Sequence, residues 1–153
     1  IEPVLPKPRL MIFGASHIAM ALGKLANAMD YRVDVVMTSP DKSLFPQADS
    51  ITALDDLELA NLPADSYMVV CTQGERDLEA LHTAIQANPA YLAFVASRRK
   101  ANGVFTDLRE RGLSFAQLAN VKTPAGLDIG AQTPEEVAIS ILAQIIKDYR
   151  GQA

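Results

Sequence analysis

Apolar positions along the chain change their spacing several times, and each change marks an element. Arg9 to Phe13 (RLMIF) is a short apolar run that reads as a strand. From His17 to Asp30 the spacing becomes three and four, which puts Ile18, Leu22, Leu25, Ala26 and Met29 on one helical face. Tyr31 to Met37 (YRVDVVM) reads as a second strand, and Pro40 and Pro46 then make the stretch from Thr38 to Asp49 a loop. Ser50 to Leu54 is a short strand candidate, and Ser66 to Thr72 (SYMVVCT) is apolar enough for a central strand buried on both faces. A helix over Glu75 to Ala87 turns Leu78, Leu81 and Ile85 inward, a strand follows over Tyr91 to Ala96 (YLAFVA), and a helix over Lys100 to Arg111 buries Val104, Phe105 and Leu108. The last helix is the best bounded: Thr133 caps it, Pro134 suits its first turn, and Glu136 completes a T-x-x-E capping box before Val137, Ile141, Ile145 and Tyr149.

Strands alternating with helices predict an α/β fold of three layers, a mostly parallel open sheet with helices on both faces. A chain of 153 residues, 49% hydrophobic and 21% charged, has room for one core. Residues 9–150 read as a single domain, residues 1–8 (IEPVLPKP) as a linker-like segment and 151–153 as a tail. The formal net charge of −4 argues against broad nucleic-acid binding, so any anion site has to be local. One cysteine and two histidines exclude a disulfide framework and a Cys/His zinc site within one chain, which suits a cytoplasmic setting. Lys7 and Arg9 ahead of the uncharged run from Leu10 to Gly23 imitate a signal peptide, but Ser16 and His17 interrupt the run, and it is too short to span a membrane. Starting on Ile1 instead of methionine fits a trimmed or processed chain, or a piece of a longer protein.

GASHIA, Gly14 to Ala19, stands where the first strand turns into the first helix, the place at which a Rossmann-like fold brings backbone N–H groups up to a phosphate. Ser16 replaces the second glycine of G-x-G-x-x-G, and its hydroxyl is itself a phosphate donor; a tight turn with Ser16 or His17 at the helix start and no ligand is the plainer reading. The acidic residue that holds an NAD ribose belongs at Met37 or Thr38, where there is no carboxylate, and Asp34 lies inside the strand. NAD(P)-dependent hydride transfer therefore stays an alternative with less support. A serine-hydrolase elbow would need glycine where Ile18 stands, and Cys71 reads as a small core residue.

Thr38, Thr72 and Gln73 fall at the same carboxyl edge of the predicted sheet and are candidate ligand contacts. SRRK, Ser97 to Lys100, is the one dense basic cluster; Ser97 is a possible N-cap, and Arg98, Arg99 and Lys100 suit a phosphate or a partner's carboxylates. GLDIGAQTPEE places Asp128 between Gly126 and Gly130, either as part of a pocket wall or as a turn before the capping box.

RLMIFGASHIA, SRRK after a strand, and GLDIGAQTPEEVAISILAQII together resemble the C-terminal Rossmann-type domain of the XdhC/CoxI family, over about Pro6 to Arg150. The family comprises accessory proteins of molybdenum hydroxylases such as xanthine and carbon monoxide dehydrogenase. The resemblance implies a binding and chaperone role more than catalysis: the molybdenum cofactor, a phosphorylated pterin or its dinucleotide form, is held and passed to a hydroxylase subunit, with a sulfurtransferase as a further partner. It also implies that Gly14, Ser16 and His17 face one phosphate, that Ser97 to Lys100 meet the pterin phosphate or the partner, and that Gly126 to Gly130 wall the pocket. The family commonly has glycine at Ser16, aspartate at Met37 and histidine at Gln73, and its longer members add a cysteine-bearing N-terminal domain. A nucleotide-dependent oxidoreductase and a ligand-free interaction module remain the other readings. A homodimer is compatible with such a sheet.

Overall fold

The computed structural model describes residues 6–151. Five strands form one sheet: β1 (Arg9–Phe13), β2 (Arg32–Met37), β3 (Ser50–Ala53), β4 (Tyr67–Val70) and β5 (Tyr91–Phe94). They lie in the order β3-β2-β1-β4-β5 and every pairing is parallel. The order reverses between β1 and β4, so the carboxyl ends of these two neighbours diverge into connections on opposite faces and leave a crevice.

Alternation along β1 divides the core. Leu10 and Ile12 face helices α1 (His17–Ala28) and α5 (Pro134–Arg150), while Met11 and Phe13 face α2 (Asp77–Gln86) and α3 (Arg98–Glu110). Helix α1 buries Ile18, Ala19, Leu22, Gly23 and Ala26, and it ends before Asp30, whose φ of 59° a helix does not accommodate. The inner face of α5 is Ala138, Ile141, Leu142 and Ile145 with Ser140; Val137 and Tyr149 are half-buried. Its capping box forms as expected from Thr133 and Glu136.

The long loop after β2 contains one 3-10 turn, Lys42–Leu44, and sends Phe45 into the α1 side of the core. A Cβ on Gly23 would stand 3.2 Å from the Phe45 ring, so the glycine admits the ring. Asp34, buried within β2, accepts from Ser50 Oγ at 2.6 Å and pairs with Arg9 and Arg32, away from the crevice.

Two elements depart from the sequence reading. Helix α3 starts at Arg98, directly after its Ser97 cap, and fully buries Ala101 and Leu108; Val104 and Phe105 are only partly covered. A short helix, α4 (Phe115–Ala119), was not legible, and after it Lys122 N–H donates to Leu92 O while Phe94 N–H donates to Lys122 O, extending the sheet past β5.

Candidate functional site

The turn from β1 into α1 is held by a close backbone approach. Gly14 has φ +118°, and a Cβ there would come within 2.5 Å of Cys71 O and 2.9 Å of Thr72 Cα. Glycine therefore lets β1 and β4 lie side by side up to their carboxyl ends. Ser16 fastens the same junction, since its hydroxyl donates to Cys71 O at 2.8 Å and accepts from Ala19 N–H at 3.1 Å as the α1 cap. Its oxygen is thus occupied within the protein, and the groups left facing outward are the backbone N–H groups that open the helix. Cys71 is fully buried, and burial pushes its thiol up to about 12, so it is inert as a nucleophile.

A cavity of about 220 Å³ opens at the carboxyl ends of β1, β2 and β4. Three expected contacts, Gly14, Thr38 and Thr72, line it together with Ser39, Asp41 and Glu75 and an apolar floor that includes Phe13 and Val36. The volume is below the roughly 300–1,000 Å³ of a site that encloses a whole ligand, so a larger ligand lies partly along the open strand edge. No carboxylate stands at Met37 or Thr38. Of the two carboxylates in the lining, Asp41 and Glu75, Asp41 is engaged by Ser43, accepting from its N–H at 2.9 Å and its hydroxyl at 2.6 Å, and these two bonds hold it below the usual carboxylate range.

The residue that sequence reasoning missed is Asp77. It is buried at the first position of α2, where it accepts from the Thr72 hydroxyl and from Gly74 N–H at 2.9 Å, and its other oxygen meets Lys100 Nζ at 2.9 Å. Burial, the largest influence, opposes its ionisation; the bonds from Thr72, Lys100 and Gly74 together outweigh it and leave the carboxyl below its ordinary value. The loop it organises is bent sharply, with positive φ at Gln73 (49°), Gly74 (102°) and Arg76 (60°). An acid in the first turn of a helix, five residues past a strand-end threonine, was the available signal.

SRRK is divided by these contacts. Ser97 caps α3 by accepting from Lys100 N–H at 3.2 Å, Lys100 is committed to Asp77, and Arg98 and Arg99 are exposed with no ion pair among the described residues. Through Asp77 the cluster joins Thr72 and hence the crevice. Gln73 is exposed on the bent loop, and His17 is exposed at the start of α1.

Gly126, Asp128 and Gly130 are not among the residues that line this cavity. Gly126 (φ +91°) packs against α5, where a Cβ would collide with Ser140 Oγ, and its N–H and carbonyl both bond the Gln144 amide. Asp128 and Gly130 (φ +74°) are both exposed at the approach to α5. These glycines position the segment entering the last helix.

The family model described as the XdhC Rossmann domain matches residues 10–145. A Bacillus subtilis protein described as a probable xanthine dehydrogenase subunit is 30% identical over the full chain, which spans 46% of that protein. The molybdenum cofactor insertion chaperone PaoD of Escherichia coli is 29% identical over 92% of the chain and 40% of its own length. A solved structure described as a xanthine dehydrogenase from Bacillus halodurans superposes with a TM-score of 0.79 at 30% identity, covering 97% of this chain and 44% of that one. The chain spans less than half the length of each of these three proteins.

Proposed function

The chain belongs to the XdhC family, and from that premise we propose that it binds the molybdenum cofactor at the crevice between β1, β2 and β4 and passes it to a molybdenum hydroxylase. The observation that carries this reading is the donor set at the crevice. Backbone N–H groups at the start of α1 and the hydroxyls of Thr38, Ser39 and Thr72, with the free guanidiniums of Arg98 and Arg99 tied to this edge through the Lys100–Asp77–Thr72 contacts, suit phosphate oxygens and the polar edge of a pterin. N–H, hydroxyl and guanidinium groups are hydrogen-bond donors to oxygen, and so match the organic part of the cofactor. The chain would grip the organic part of the cofactor and leave the molybdenum end free for handover. The name of the Escherichia coli relative supports the same role.

In this account Gly14 and the first turn of α1 hold a phosphate, with Ser16 fixing the turn. Thr38 and Ser39 meet the ring or the ribose of a dinucleotide form. Asp77 and Lys100 keep the β4–α2 loop and the start of α3 in register, so that Arg98 and Arg99 close the anionic end, and Gln73 lies on the rim. His17 borders the phosphate, and Gly126, Asp128 and Gly130 support the site through α5. The cofactor is cargo; its redox chemistry belongs to the hydroxylase that receives it.

Reconstitution tests the role. Cofactor-loaded protein mixed with an apo-hydroxylase should restore that enzyme's activity faster than free cofactor does. The Ser97→Ala, Arg98→Ala, Arg99→Ala variant should bind and deliver less. Transfer no faster than with free cofactor would refute delivery, and tight binding of NAD(P)H with hydride transfer would replace this reading with an oxidoreductase.

A further inference from the structure

One flank of α3 presents a surface that leads away from the crevice. Arg98, Asn102, Phe105 and Arg109 follow one another at spacings of four, three and four, so at about 100° per residue they form one line along the helix. Arg98, Asn102 and Arg109 are exposed and Phe105 is half-buried. Beyond the helix, Phe115 comes under Arg109, whose guanidinium lies 3.8 Å from the ring centroid and donates to Leu113 O at 2.7 Å. Phe115 is 73% exposed, more than any other large hydrophobic side chain among the described residues. The guanidinium holds the ring on one side and leaves the rest of it in water, so a fixed apolar surface stands beside a cation.

The charge is equally local. Ser97 to Arg111 holds five cations and two anions, a balance of +3, while the chain as a whole carries −4, so the remaining residues hold −7. Asp107 and Glu110 lie about 100° or more around the helix from the line of Arg98 and Arg109. Neither of these two arginines has a carboxylate partner among the described residues.

We propose that this flank docks an acidic segment of a partner protein, whose carboxylates pair with Arg98 and Arg109 and whose apolar side chain covers Phe115. Arg98 and Arg109 are eleven residues apart, about 16 Å along the helix, which about five residues of extended chain span. A segment with two acidic residues at that separation and an aliphatic residue between them fits. Nucleic acid fits less well, because a polyanion meets the −7 of the rest of the molecule and finds only two guanidiniums along this line. Arg109 and Phe115 do not line the crevice, so their part in docking stands whatever the crevice binds, while Arg98 is shared with the cofactor contact proposed above.

The test is a titration of the ¹⁵N-labelled chain, followed by amide NMR, with a 12-residue peptide carrying two glutamates five residues apart and a leucine between them. A peptide with glutamines at the same places and a 12-nucleotide oligothymidylate serve as comparisons. The acidic peptide should move resonances of α3 and Phe115, and its binding should weaken several-fold between 50 and 200 mM salt, as for paired surface charges. Arg109→Glu should weaken it by about tenfold and Phe115→Ser several-fold, as for an arginine and aromatic anchor. Arg109→Gln retains a side-chain N–H donor and should show most of the Arg109→Glu loss if charge is what matters. Unmoved α3 resonances, equal binding by the glutamine peptide or by Arg109→Glu, or tighter binding of the oligothymidylate to the same flank would overturn the proposal.

Discussion

Replacing Asp77 with alanine removes, in one step, the acceptor of three donors at the mouth of the crevice. Thr72 loses its hydroxyl partner, Gly74 its N–H partner, and Lys100 its counter-ion. Bonds to a charged acceptor contribute about 1.5–3 kcal/mol each. Lys100 is 41% exposed and recovers water; with Thr72 half-buried as well, the net loss should be about 2–4 kcal/mol, at the lower end of what breaking a buried ion pair costs. Lys100→Met leaves Asp77 with its two loop donors and should cost about 1 kcal/mol. For a domain of this size each kcal/mol lowers the melting midpoint by about 2–4 °C, so calorimetry and urea titration separate the two variants easily. Loss of less than about 1 kcal/mol in Asp77→Ala, or equal losses in both variants, would refute the claim that this carboxylate organises the loop. The pH dependence has a fixed sign. A carboxyl held below its unfolded value, near 3.9, stabilises the fold above that pH and loses the contribution as pH falls through the folded value. The stability gap between the wild type and Asp77→Asn should therefore narrow below about pH 4.

Gly14→Ala should be destabilised by about 2–4 kcal/mol in denaturant titration, because a Cβ at that φ drives into the β4 backbone; a loss under about 0.5 kcal/mol would contradict the close approach. Cys71, with its thiol raised by burial, should resist a thiol reagent at pH 8 in the native protein and react at once in denaturant; rapid native labelling would show that the strand end opens. Thr133→Ala should cost about 1 kcal/mol of thermal stability through loss of the α5 cap, and an unchanged midpoint would mean that the capping box contributes nothing.

The strands and long helices were legible because each changes the hydrophobic spacing for a turn or more, and the Thr133–Glu136 box fixed the start of α5 to the residue. Short or weakly buried pieces were not. Helix α4 has five residues with only Leu118 buried, too few to set a period, and α3 is so polar that its inner side is carried by Ala101 and Leu108 instead of the larger Val104 and Phe105. Of the candidate site, Gly14, Thr38 and Thr72 could be assigned to one sheet edge from sequence, and they line one cavity, since parallel strands bring their carboxyl ends together. It could not show that Lys100 turns back to Asp77 across 23 positions, or that Gly126 is spent on α5, because both depend on contacts between elements.

The central claim, that the crevice holds a phosphorylated pterin, is tested most directly by equilibrium binding of molybdenum cofactor under anaerobic conditions. Bound pterin is read by its fluorescence after oxidation, in the wild type and in Thr38→Arg, whose side chain fills the cavity between β1 and β2 from an exposed position. Stoichiometric pterin in the wild type, lost in a Thr38→Arg protein of unchanged melting midpoint, is the expected result. Absence of pterin from the wild type, or equal binding by both proteins, would contradict it.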